Sequence, residues 1–220
     1  MKKVVYSLLS LSLIAVVACN QAPKGTKTEV TDEHTGNAIE VGQAVTTCNH
    51  QSKIYWTGTK PGGEHQGIIN LKEGGKFLVD DDKLIGGEFI IDMNSIVDLD
   101  LENAEMNGKL VGHLKSADFF HVDSFPDAKF VITGVEELSG IPEFTHTIKG
   151  NLTMKNITKG ISFKAKVSVV DGNVSARSEN FVLDRTQWGV NYGSKSIFKE
   201  LQDKFINDEF GLRIEAYSMK

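Results

Sequence analysis

The feature that most constrains this chain is a two-residue period held over long runs. Phe144, His146, Ile148, Gly150, Leu152 and Met154 fall on one side of such a run, with Thr145, Thr147, Lys149, Asn151 and Thr153 on the other. The next run sets Ile161, Phe163, Ala165, Val167 and Val169 against Ser162, Lys164, Lys166 and Ser168. Phe89, Ile91 and Met93 alternate with Glu88, Ile90 and Asp92, and Phe210, Leu212, Ile214 and Ala216 with Gly211, Arg213, Glu215 and Tyr217. One dry and one wet face per strand is the mark of antiparallel sheet.

Turn residues separate the runs. Gly74-Gly75, Asp80-Asp81-Asp82, Lys155-Asn156 and Asp171-Gly172-Asn173 punctuate the chain, and an Asp-Gly pair supplies the positive φ that a tight hairpin needs. The pattern predicts eight or nine strands, at 52–59, 65–72, 76–80, 84–94, 129–138, 143–155, 159–170, 173–184 and 207–218. Met106, Leu110 and Leu114 are spaced by four and predict one amphipathic helix within 103–114, then a short second turn near 116–120 and a loop to Pro126. No βαβ alternation is present, which excludes a doubly wound fold. Long amphipathic strands must bury one face and leave no open edge, and a barrel does both. A two-sheet sandwich is the competing architecture. The interior of a barrel of about eight strands is either just filled or just wide enough for one slender ligand.

The N-terminus reads as an address. Lys2 and Lys3 precede Val4 to Ala18, an apolar stretch broken only by Ser7, Ser10 and Ser12. That is too short for a membrane span of about 20 residues and suits a signal peptide, residues 1–18. Val16-Val17-Ala18-Cys19 is similar to a bacterial lipobox, which predicts lipidation of Cys19 and attachment to a membrane. Asn20 after the cysteine resembles the outer-membrane rather than the inner-membrane class, so the expected location is the outer membrane, facing the periplasm. Residues 19–50 are rich in Thr, Glu, Gln, Gly and Asn without apolar periodicity, and are expected to be a flexible tether. Residues 51–220 then form the folded domain.

Charge and cysteine content narrow the function. The chain carries 24 basic and 29 acidic residues, and a net charge of −5 gives no sign of a nucleic-acid surface. Two cysteines exclude a disulfide scaffold and a four-cysteine zinc site. The six histidines show no metal-binding spacing. Asp98-Leu99-Asp100-Leu101-Glu102 lacks the glycine and remaining ligands of a calcium loop and is expected to be a solvated acidic edge. No metal or other cofactor is expected.

Several segments together resemble the YceI-like polyisoprenoid-binding family. They are Lys109-Leu110-Val111-Gly112-His113-Leu114-Lys115-Ser116-Ala117-Asp118-Phe119-Phe120, then Phe125-Pro126 with Phe130; Phe89-Ile90-Ile91-Asp92 with Ser95; Gly150-Asn151-Leu152-Thr153; and Asp184-Arg185-Thr186-Gln187-Trp188 with Tyr192-Gly193-Ser194. The likeness runs from about Ser52 to Tyr217. In the aspartate-x-x-His-Ser signature of many members, His65 is present and Gln66 stands in place of the serine. The resemblance implies a lipocalin-like antiparallel β-barrel, mainly β, with an apolar cavity for an isoprenoid-like or other long-chain lipid; with the helical insertion near 103–120, the leading expectation is a carrier of a polyisoprenoid, quinone or fatty amide. It implies no catalysis, and the family often forms homodimers.

On that reading the cavity wall is Phe89, Ile91, Phe130, Ile132, Phe144, Ile148, Phe163, Phe210, Leu212 and Ile214. The alternation alone would serve a packed core equally well. His146 breaks an apolar face, as either a hydrogen-bonded core residue or a ligand contact. His65 and His113 are candidates to meet at one cavity end and donate to a carbonyl oxygen. Trp188 is a candidate wall residue, or forms a barrel corner with Arg185 packed on it. A bilayer is as dry as a barrel, so moving a lipid between them is near neutral on hydrophobic grounds, and packing and the head group must decide binding. An interaction module with a filled core, and an enzyme using His65, His113 or His146 as acid or base, are the alternative functions.

Overall fold

The alternating strands close on themselves. A computed structural model describes residues 22–35 and 41–219; residues 1–18 and Cys19 lie outside that range. In chain order the elements are β1 (Thr26–Lys27), β2 (Gln43–Thr46), β3 (Lys53–Lys60), β4 (Gly63–Leu71), β5 (Lys76–Asp80), β6 (Lys83–Asp98), α1 (Ala104–Lys115), β7 (Asp127–Glu137), β8 (His146–Met154), β9 (Ile157–Val170), β10 (Asn173–Ser178), β11 (Phe181–Asp184) and β12 (Glu209–Tyr217). Strands β3, β4, β6, β7, β8, β9, β10 and β12 pair in that order, each antiparallel to the next. The ring shuts where Leu212 and Ile214 of β12 face Trp56 and Ile54 of β3. β11 resumes the path of β10 along β12. The architecture is thus the closed barrel that the strand pattern predicts, lipocalin-like as the family resemblance implies, and not a sandwich.

Tight turns fix the register of the ladders. Lys155-Asn156, Asp171-Gly172 and Asp81-Asp82 all have positive φ, the conformation that two-residue hairpin loops demand. Alternation then places Phe89 opposite Phe130, and Ile148 opposite Phe163, with their side chains inside. Phe163 stacks on Phe181 at 4.7 Å between ring centres.

Helix α1 starts where Asn103 Oδ1 accepts the Met106 N–H at 3.0 Å. None of its residues is buried, and Met106 is exposed, so the predicted apolar stripe is shallow. The turn after the helix does the burying, through Phe119 and Val122.

The flexible tether expected over 19–50 does not match the described parts of that segment. β1 pairs in parallel with β11, Thr31 bridges to Gly160, and His34 exchanges two hydrogen bonds with the Asn151 side chain. A Cβ on Gly160 would lie 2.5 Å from the His34 ring, so the missing side chain is what admits this strap. β2 pairs with β5, and Thr47 bridges to Ser218, which extends the barrel wall below β3 and β4. Compositional polarity masked these elements. Their hydrogen bonds are made by backbone and short polar side chains, which carry no hydrophobic signature.

Candidate functional site

Two apolar cavities lie inside the barrel. The upper, of about 120 Å³, is bounded by β3, β4, β6, β7, β8, β9 and β12 and by the turn after α1; Trp56, Met93, Leu114, Phe119, Phe120 and Leu212 are among its walls. The lower, of about 60 Å³, is walled by Phe77, Leu84, Phe89, Ile132, Ile148, Phe163 and their neighbours. Ile54, Ile91, Phe130 and Ile214 line both, and so form the partition between them. Phe130 is pinned there by Gly150: a Cβ on that glycine would lie 2.4 Å from the tip of the Phe130 ring. An apolar cavity of about 150 Å³ admits a benzene-sized molecule. Each chamber at rest therefore holds a few carbons, and a long chain needs the partition to move.

Polar groups on the upper chamber are few. Trp56 Nε1 is buried without a hydrogen-bond partner, an arrangement that costs free energy unless something accepts the proton. Arg185 is the one cation among the described lining residues. It is 2 % exposed, and its Nε, Nη1 and Nη2 donate to the backbone carbonyls of Asn207, Val190 and Ile206 at 3.1, 2.6 and 3.1 Å. Burial lowers its pKa, against Asp208 and Asp184, which favour the charge. Arg185 therefore fastens the short helical turn after β11 to the approach to β12. Its guanidinium lies 5.3 Å from the Phe119 ring, the ring contact it makes among the described residues.

The predicted wall residues mostly converge. Phe89, Ile132, Ile148 and Phe163 line the lower chamber, Phe210 and Leu212 the upper, and Ile91, Phe130 and Ile214 both. Phe144 does not join them: it precedes β8 in a loop, is half-buried, and lines neither chamber, because the alternation begins only at His146. Trp188 is fully buried outside both chambers, its Nε1 donating to the Leu152 carbonyl at 3.0 Å. His146 faces a separate polar recess with Glu137, Lys83 and Thr145, and burial lowers its pKa.

His65 and His113 line neither chamber, and each has partners of its own. The His113 ring meets Tyr192 and Phe119 edge-on at 4.5 and 5.8 Å, and its Nε2 has no hydrogen-bond partner. His65 Nδ1 lies 2.9 Å from Asp100 Oδ2. Asp98, expected on a solvated edge, is only 6 % exposed, and burial raises its pKa. Burial alone would raise Asp100 too, but the Gln66 N–H and His65 outweigh it and hold that carboxyl low.

The sequence reading missed Trp56, Met93, Leu152, Met154 and Phe181 as wall residues. A signal was available for four of them: Met93, Leu152 and Met154 stand in alternations already traced, and Trp56 lies two residues from Ile54 within the strand predicted at 52–59. Phe119 and Phe120 sit outside any period, and nothing but the family motif marked them.

A family model described as the YceI-like domain matches residues 45–217. This chain belongs to the YceI-like domain family. Among curated relatives, a UPF0312 protein of Pseudomonas putida strain F1 is 38% identical over 74 residues, a match covering 32% of this chain and 37% of the relative. The chain thus spans little more than a third of the length of the curated relatives it matches. Among solved structures, BcnA of Burkholderia cenocepacia superposes with a TM-score of 0.59 at 17% identity, covering 79% of this YceI-like chain and 99% of BcnA. A polyisoprenoid binding domain from Saccharophagus degradans gives 0.56 at 10% identity, covering 80% and 98%. At those identities the likeness is one of fold.

Proposed function

We propose that this YceI-like protein binds a long-chain neutral lipid inside the barrel, as a carrier or store at the bacterial envelope. The observation that carries this reading is the pair of apolar chambers sharing one wall of four side chains, with an unpartnered Trp56 Nε1 in the upper one. A filled core, as an interaction module would have, needs neither. The single lining cation is already fastened to backbone, which favours a head group with a carbonyl or hydroxyl oxygen over an anionic one. A polyisoprenoid, a quinone and a fatty amide all fit that description. The binding named for the Saccharophagus degradans neighbour supports the same class. No catalytic step is assigned. Signal-peptide removal, lipidation of Cys19, an outer-membrane location facing the periplasm, and pairing of two copies remain part of the proposal on sequence grounds.

The test is extraction. A chain starting at residue 22 keeps every described element; it is made in cells, extracted with organic solvent, and the extract is weighed by mass spectrometry. About one long-chain lipid per chain is expected, with weaker retention in Trp56→Phe. An empty extract from protein that also takes up no added prenol or quinone would overturn the reading.

A further inference from the structure

His65, Asp98 and Asp100 each present a ligating atom, and the three atoms lie within 4.8 Å of one another at the upper rim of the barrel. Strand β4 places His65 opposite Gly58, which lines the upper chamber, and places Gly67 opposite Asp98 of β6. The three side chains therefore come from two neighbouring strands and the residues just beyond. Each aspartate is held by one oxygen. Asp98 Oδ1 accepts the Leu101 N–H at 2.9 Å and Asn107 Nδ2 at 3.1 Å, and Asp100 Oδ1 accepts the Gln66 N–H at 2.7 Å. Such supporting bonds orient ligands in metal centres.

The second oxygens are left over. Asp100 Oδ2 faces His65, while Asp98 Oδ2 is buried and has no hydrogen-bond partner, on a residue that is 6 % exposed. A buried carboxylate oxygen with no donor, beside a second carboxylate, is an unfavourable arrangement unless a proton or a cation neutralises it. We propose that His65, Asp98 and Asp100 form a divalent-cation site for Zn²⁺ or a similar imidazole-accepting transition ion. One nitrogen and two carboxylate oxygens suit such an ion, with a fourth position for water. Ca²⁺ prefers six to eight oxygens and fits poorly. Asn107, which binds Asp98 from α1, also reaches the carbonyls of Asp98 and Leu101. An ion here would thus fix the start of the helix whose other end, at Leu114, walls the upper chamber.

The experiment uses the full chain in an uncharged detergent, stripped with EDTA and titrated calorimetrically with ZnCl₂ and, separately, CaCl₂. One Zn²⁺ per chain is expected, with a dissociation constant of about 10 µM or below, a raised melting temperature, and Ca²⁺ at least about tenfold weaker. Asp98→Asn keeps an acceptor for Leu101 and Asn107 and removes the charge. It should melt in EDTA at or above the wild-type temperature and bind Zn²⁺ at least about tenfold more weakly. His65→Gln should weaken binding likewise. No saturable binding up to about 1 mM, or affinity unchanged in both variants, would overturn the site.

Discussion

Replacing Phe130 by Ala should turn two chambers into one. The ring is 7 % exposed and lines both cavities. Burying a Phe side chain is worth about 2–3 kcal/mol in transfer from water. The void left behind, roughly 100 Å³ if nothing relaxes, adds about 2.4 kcal/mol at about 24 cal/mol per Å³. The empty variant should therefore lose about 4–5 kcal/mol. Relaxation is limited on one side, because the ring rests on the bare backbone of Gly150, which has no side chain to swing into the gap. The same change removes the barrier a long chain must displace. Urea unfolding in the presence of a short ligand such as benzene and of a long prenol or quinone separates the two effects. Long ligand at 100 times its dissociation constant returns about 2.7 kcal/mol. The variant should gain more from the long ligand than wild type does, and take it up faster, with no such contrast for benzene. A loss under about 1 kcal/mol, or equal responses to both ligands in both proteins, would refute the partition.

Three further outcomes are expected. Arg185→Met leaves the carbonyls of Asn207, Val190 and Ile206 without their charged donor and should cost about 3–5 kcal/mol in urea unfolding; a loss below about 1 kcal/mol would show that the staple is redundant. Lys155 Nζ donates to the carbonyls of Phe119 and Gly189, both at 3.0 Å, so Lys155→Met should cost about 1–3 kcal/mol, and unchanged stability would count against that bridge. Burial lowers the pKa of His146 below 6.5, so the unfolded chain takes up this proton first on acidification. Its contribution is complete above pH 6.5 and is lost as pH falls through the lower folded value. His146→Gln should flatten the decline in melting temperature below pH 6.5, and identical profiles would remove His146 as its source.

The long strands were readable because the cause of their structure is written in them: Ile161, Phe163 and Ala165 face inward for the same reason that Ser162 and Lys164 do not. The same rule located most of both chambers. It failed at Phe144, where the two-residue count was carried past the end of the ladder, and at 22–47, where strands form without an apolar face. It could not show that Arg185 would bond to backbone, since its carbonyl partners lie up to 22 residues away, in a segment with no periodicity. Nor could it show that Asp98 would be buried. Two aspartates and a leucine in alternation look like a wet edge, and Leu99 and Asp100 do stay exposed, but Asn107 of α1 binds Asp98 and that residue is buried. The partition is a different case. Its four residues look like any other core positions, and only packing in three dimensions makes them a wall between two spaces.

The N-terminal strap changes how this barrel would sit on a bilayer. Pro23 is buried, and a Cβ on Gly211 would lie 3.1 Å from it; Gly211 faces Thr57, a wall residue of the upper chamber. With Cys19 lipidated as proposed, three residues separate the anchor from that docked proline, a leash of four Cα steps or about 14 Å at full extension. A thirty-residue tether would have let the domain roam about 100 Å from the surface. On so short a leash the upper chamber would be held close to the lipid it would exchange. Under that proposal, loading would be a local event on a captive molecule, limited by the partition opening rather than by a search through the periplasm.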